Sequence, residues 1–124
     1  MPDPTLAQFE GQKYMSLETF KKNGQGVKTP VWFVLHQNAF YVYTEADSWK
    51  VKRIRTNPRV RVAVCTIRGA IKGSWLDATA SLVEGDERLA ADTLLDRKYV
   101  LKKIFNLLTR INRHRRAMIK IETA

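Results

Sequence analysis

The residues best placed to do chemistry form one short run, Tyr43-Thr44-Glu45-Ala46-Asp47-Ser48-Trp49-Lys50. Tyr43 and Thr44 end a strand-like stretch, and Ser48 is of a residue type that caps helices. A strand that hands over to a capped helix leaves the first amide N–H groups of that helix unpaired. Those groups, the Ser48 hydroxyl and the Lys50 ammonium converge on an anion, a phosphate above all. Arg53 and Arg55 are near enough in sequence to add to the same positive field. The same residues also describe an ordinary capped helix whose lysine faces water. Other chemistries lack their parts. The single cysteine, Cys65, and the two histidines, His36 and His114, supply neither a disulfide nor a zinc pattern. No Ser-His-Asp or paired-carboxylate arrangement is evident, so no catalytic side chain and no metal ligand is assigned.

The wider charge pattern supports an anionic ligand. The chain carries 22 Lys and Arg against 12 Asp and Glu, a formal charge of +10. The cations gather in two windows free of acidic residues, 48–76 and 97–121, whereas Glu84, Asp86, Glu87, Asp92 and Asp96 cluster between them. Such a field concentrates phosphates, carboxylates or nucleic acid; a solvated face is the plainer explanation. With 124 residues, 44% of them apolar, the chain has enough for one packed core and reads as a single domain, 1–124. Its longest unbroken aliphatic or aromatic run, Val31 to Leu35, is far too short to cross a bilayer. Met1-Pro2-Asp3-Pro4 does not read as a secretion signal, so a cytoplasmic protein with no membrane partner is expected.

The elements that must position the run follow from periodicity. Thr5 is a plausible cap for a short helix to Lys13. Tyr14 to Lys22 alternates as a strand, and Asn23-Gly24-Gln25-Gly26 is a turn signal because Asn and Gly tolerate positive φ. Val27 to His36 reads as the returning strand, with Pro30 marking an edge or a bulge. Gln37-Asn38 turns into a strand from Ala39 to Thr44, with Phe40 and Val42 on one face and Tyr41 and Tyr43 on the other. Ser48 to Asn57 is a short helix stopped by Pro58. Arg59 to Ile67 and Ser74 to Val83 are strands. Gly85 to Asn112 reads as one long helix with an apolar stripe through Leu94, Leu101, Ile104, Leu108 and Ile111, acidic at its start and basic at its end. Arg116 to Glu122 closes the chain as a strand. Six largely antiparallel strands with helices, an α+β arrangement, are best buried as a barrel.

Tyr43-Thr44, Ser48-Trp49-Lys50 and Asn57-Pro58-Arg59-Val60, together with Thr29-Pro30-Val31-Trp32-Phe33 and Cys65-Thr66-Ile67-Arg68-Gly69, resemble the pyridoxamine-5′-phosphate-oxidase-like superfamily of flavin- and deazaflavin-binding split β-barrels. The resemblance implies a six-stranded antiparallel split barrel that forms a homodimer with cofactor sites between the subunits. It implies an oxidoreductase that passes hydride to or from a small organic substrate. The strand Thr29, Pro30, Val31, Trp32, Phe33 would run beside the tricyclic ring with its backbone facing ring nitrogens and oxygens. Tyr43, Thr44, Ser48 and Lys50 would line the ribityl chain and phosphate, with Arg53 adding charge, and Lys72 would reach in from the second subunit. Bound flavin or deazaflavin carries the redox chemistry itself, so the protein need only bind, orient and tune it.

Two departures shape the expectation. Trp49-Lys50 stands where pyridoxamine phosphate oxidases carry Arg-Lys, and their substrate-binding C-terminal region has no counterpart here. Oxidation of a B6 vitamer is therefore not implied. The Thr29–Phe33 run is more like small oxidoreductases that use coenzyme F420, which is favoured slightly over flavin mononucleotide (FMN). The rival readings are a cofactor- or tetrapyrrole-binding protein without turnover and a basic nucleic-acid-binding barrel. No aromatic–basic RNP-type run is present, so no nucleic-acid partner is expected. Among other residues, Trp32 reads as core, Trp49 as exposed at a pocket, Cys65 as an inert small hydrophobe and Asp77 as solvent-facing.

Overall fold

A computed structural model describes residues 6–99 and 116–123. It opens with a 3-10 turn at Leu6–Phe9, shorter than the helix expected to Lys13. The alternating segment then forms β1 (Met15–Phe20), which pairs antiparallel with β2 (Gly26–Val31) from Met15 opposite Val31 to Phe20 opposite Gly26. The intervening turn works as its residues suggest. Gly24 takes a φ of +88°, which a side chain would disfavour, and the Gln25 N–H donates to the Asn23 side-chain oxygen at 2.9 Å.

The expected strand from Val27 to His36 is instead two strands. β2 ends at Val31, and β3 (Val34–His36) begins after two intervening residues, Trp32 and Phe33. β3 hairpins onto β4 (Ala39–Glu45) through Gln37 and Asn38, both at positive φ, a two-residue turn that matches strand twist. After α1 (Trp49–Thr56) come β5 (Arg59–Val64), β6 (Leu76–Val83), α2 (Gly85–Lys98) and β7 (Arg116–Thr123). The sheet therefore has seven strands, in the order β2-β1-β5-β6-β7-β4-β3, every pairing antiparallel.

That order explains the curvature. The two edge strands, β2 and β3, are joined by Trp32 and Phe33 alone, so the sheet must curl until its edges meet. The result is a barrel closed by the chain rather than by a ladder: a split barrel. Its interior takes alternate residues, among them Leu17, Val60, Val62, Ile119 and Ile121. Phe9, Phe33 and Phe40 meet edge-on at its centre, with ring centroids 4.7 to 5.9 Å apart. Val51 and Ile54 of α1 join this core.

α2 packs on the outer face of the sheet. Ala91 and Leu95 bury against Tyr41 and Met118, so Leu95 rather than Leu94 leads its apolar side. Glu87 anchors the helix: it accepts from the Tyr41 hydroxyl at 2.6 Å and pairs with Lys120 at 2.8 Å. The Lys120 ammonium, followed by the Tyr41 hydroxyl, holds the Glu87 carboxyl below its ordinary pKa. The helix does not run on as one piece to Asn112, because Tyr99 is extended (φ −123°, ψ 93°). Residues 100–112 of that expected helix, and Thr5, lie outside the described residues.

Candidate functional site

Each predicted site residue takes its place from the element that carries it. β4 brings Tyr43 and Thr44 to its end, and a short loop delivers Ser48 as the N-cap of α1, with extended dihedrals (φ −66°, ψ 154°). The Ser48 hydroxyl accepts the Val51 N–H at 3.4 Å, a long contact. Lys50 follows in the first helical turn. It is half-buried, and it makes no hydrogen bond or ion pair among the described residues. Burial pushes its pKa down, the nearby Arg53 guanidinium adds to that, and Glu45 opposes it from a distance. Arg53, one turn on, donates to the Thr19 hydroxyl at 3.4 Å. Arg116 places its guanidinium 5.3 Å from the centre of the Tyr43 ring. A cation held out of water without an anion beside it is unfavourable unless a ligand supplies one.

The second group sits on the barrel seam. β2 pairs only with β1, so one row of its peptide groups has no ladder partner among the described residues. Pro30 faces outward on this edge, as a residue without an N–H should. The Thr29 hydroxyl oxygen is buried and lacks a hydrogen-bond partner among the described residues. Trp32 stacks on Tyr99 with ring centroids 4.8 Å apart and planes 8° from parallel. Phe33 has little left to offer a ligand. Its ring is in the core, its N–H donates to the Tyr99 hydroxyl at 3.1 Å, and its carbonyl lies 2.8 Å from that hydroxyl and 2.9 Å from the Lys98 ammonium. The Tyr99 hydroxyl also reaches the Lys13 carbonyl at 2.8 Å.

Lys98 and Tyr99 were not singled out from the sequence, because a continuous helical stripe concealed them. The helix ends there, and both side chains serve the buried Phe33 peptide. Burial lowers the Lys98 pKa to about 8 and raises that of Tyr99 to about 12. Lys72 lies elsewhere, on the loop after β5, and donates to Gln12 at 3.1 Å. Among the described residues no hydrogen bond or ion pair links Lys72 or the Thr29–Phe33 segment to Ser48, Lys50 or Arg53.

A groove of about 740 Å³ opens on the other side of Arg53, between the β1–β2 hairpin and α1. It is lined by Phe20, Lys21, Lys22, Trp49, Lys52, Arg53, Thr56 and Asn57. Trp49 is 68% exposed, as its polar surroundings in the sequence suggest. Lys21 and Lys22 read only as a strand end in the sequence; two cations next to a hairpin turn were the available sign. Among the described residues there is no cluster of His, Cys, Asp or Glu that could hold a metal, and no helix long and apolar enough to cross a membrane.

The chain is thus a seven-stranded antiparallel split barrel with a Ser48-capped helix that carries Lys50, Lys52, Arg53 and Arg55. The family model described as pyridoxamine 5′-phosphate oxidase matches residues 1–124, and the chain belongs to that family. A sequence search of curated proteins gives no match. Solved structures share the fold at low identity. HutZ, described as the heme storage protein of Vibrio cholerae, superposes with a TM-score of 0.72 at 18% identity, over 100% of this chain and 92% of that one. A protein described as an F420 reductase gives 0.66 at 16%, over 100% and 96%. A conserved hypothetical protein of Mycobacterium tuberculosis gives 0.73 at 20%, over 99% and 81%.

Proposed function

We propose that this chain is one subunit of a homodimeric oxidoreductase that binds coenzyme F420 or FMN and moves hydride to or from a small organic substrate. The observation that carries this reading is Lys50: a half-buried ammonium, unpaired among the described residues, in the first turn of a Ser48-capped helix and beside Arg53. A phosphate there gains the ammonium, the guanidinium and the free N–H groups of the helix start together. Tyr43 and Thr44 lie near the end of β4, from which the loop to Ser48 departs, and in this reading they line the polyol chain.

The seam suits the ring. Thr29 has a buried hydroxyl in need of a partner, and the unpaired edge of β2 at Pro30 and Val31, continued by Trp32, offers peptide groups to a planar, hydrogen-bonding heterocycle in this reading. When bound, flavin or deazaflavin supplies the hydride chemistry. The chain's own groups bind and orient: Lys50 and Arg53 neutralise the phosphate, and the Tyr99 hydroxyl fixes the peptide that follows Trp32. Lys72, apart from this cluster within the protomer, completes the site across the dimer interface in this reading. A solved structure described as an F420 reductase shares this fold, and the deazaflavin is favoured over FMN in this reading.

The test is a fluorescence titration of the purified protein with F420 and with FMN, alongside sedimentation to establish the dimer. The expected result is saturable uptake of one of the two, at one per chain, weakened in Lys50→Met. Binding of haem with uptake of neither coenzyme would overturn the redox reading.

A further inference from the structure

We propose that the groove between the β1–β2 hairpin and α1 is a second ligand site, built for a nucleobase joined to phosphate. Nothing in the fold requires its contents. Trp49 opens α1 on the side away from the core, and it is more exposed than any other large apolar side chain among the described residues. The Lys52 ammonium rests 4.5 Å from the centre of its ring, which steadies the indole and leaves its other face for stacking. Phe20, which lines the groove with it, has the Arg59 guanidinium 5.7 Å from its own ring centre.

The charge is equally one-sided. Lys21, Lys22, Lys52 and Arg53 meet in one concavity whose lining includes no carboxylate. Like charges gathered in this way repel, and an anion relieves them. Carboxylates could have been interspersed, as they are on the outer face of the sheet, where Arg61 lies between Glu18 and Asp77. Exposed aromatic rings flanked by cations are the arrangement that holds a base by its π-face and a phosphate by its charge.

Asn57 adds a means of reading a base edge. Its side-chain oxygen already accepts the Arg59 N–H at 3.2 Å, while its amide N–H groups have no partner among the described residues. Thr56 is spent, its hydroxyl donating to the Lys52 carbonyl at 3.3 Å. A volume near 740 Å³ falls within the usual range for small-ligand sites. Lys50 does not line this groove; Arg53 separates the two sites. The two readings share Arg53 and otherwise rest on different residues, so Lys50→Met probes the coenzyme site and Trp49→Ala the groove.

The experiment follows Trp49 fluorescence while the protein is titrated with ATP, with a short single-stranded oligoadenylate and with inorganic tripolyphosphate. Trp49→Phe identifies the signal. We expect ATP or the oligonucleotide to quench it, and Trp49→Ala and Lys52→Ala each to weaken that binding about tenfold, with affinities of the Trp49 variants read by isothermal titration calorimetry because they lack the fluorophore. Saturation by ATP alone assigns a free nucleotide. Tighter binding of the oligonucleotide, with a steep loss in salt, assigns a single strand. Lys50→Met should leave either affinity within about twofold, a change too small to mark a direct charge-assisted contact. Tripolyphosphate binding as well as ATP would overturn base recognition. Unchanged affinity in Trp49→Ala would overturn the stacking platform. Equal loss of coenzyme binding in Trp49→Ala and Lys52→Ala would return the groove to the coenzyme site. Trp49 is exposed enough that its loss leaves folding intact, which circular dichroism checks.

Discussion

Lys50→Met separates ligand binding from architecture. Methionine keeps most of the apolar stem, so the packing of the first turn of α1 survives and only the ammonium is removed. In the free protein that ammonium is unfavourable, being half-buried, pushed down in pKa by that burial and repelled by Arg53. The substitution should therefore leave thermal stability unchanged or raise it. Coenzyme binding should behave in the opposite way. A charge-assisted hydrogen bond to phosphate contributes about 1.5–3 kcal/mol. At about 1.4 kcal/mol per decade, that is a rise of roughly 10- to 150-fold in Kd. The pH dependence provides an internal control. Bound phosphate favours the charged lysine, so wild-type affinity should fall as pH rises through the lowered Lys50 pKa. Lys50→Met should lose that part of the dependence. The assay is a fluorescence titration repeated from about pH 7 to 10, with a melting curve for each protein. Unchanged Kd in the variant, or a variant that melts well below wild type while binding normally, would refute the placement of the phosphate.

Other substitutions test the scaffold. Tyr99→Phe removes the hydroxyl that satisfies the buried Phe33 peptide, and chemical denaturation should show a loss of about 1–3 kcal/mol. Lys98, with its pKa lowered to about 8, binds its proton less readily folded than unfolded, so its contribution to stability should rise with pH between about 8 and the unfolded value near 10.5. Lys98→Met should flatten that rise in urea midpoints measured across the same window. Ser48→Ala should cost about 0.5–1 kcal/mol in denaturant unfolding, the low end for an N-cap because the hydroxyl contact is long. Arg61→Ala strips the close cation from the nearly buried Glu18 carboxylate, and a loss of about 1–3 kcal/mol is expected in the same assay.

Much of this arrangement is legible in the residues, for reasons that are local. Ser48 caps α1 because a serine before a helical stretch has few better uses, and Pro58 limits the helix as its ring requires. The alternation of Val60, Val62 and Val64 places β5 with one face inward, and Pro30 does mark an edge strand. What escapes is set by contacts distant in sequence. The break at Trp32–Phe33, which makes seven strands of six, leaves no mark in a run of β-forming side chains. It exists because the returning strand must leave one edge of the sheet and join the other. Tyr99 was equally hidden: its helical spacing is sound until the Phe33 and Lys13 carbonyls, 66 and 86 residues away, demand its hydroxyl. The cationic groove depends on a hairpin and a helix meeting, which neither segment declares by itself.

The seam ties these observations into one design. A sheet edge normally exposes unpaired peptide groups and must be covered. Here the two edges are brought together by a two-residue crossing, and the peptide at that crossing is held by a helix end through Tyr99 and Lys98. Just upstream, the edge of β2 stays unpaired and carries the one buried side-chain hydroxyl without a partner among the described residues. Rigidity at Phe33 and the unpaired β2 edge are thus consequences of the same closure. A fully laddered barrel would pair the β2 edge throughout; the heterocycle proposed above needs that edge unpaired. A seam without the Tyr99 clasp would leave the crossing free to move, and the edge strand with it. Closing the barrel through the chain, rather than through hydrogen bonds, leaves the β2 edge without a ladder partner among the described residues at little cost to the core.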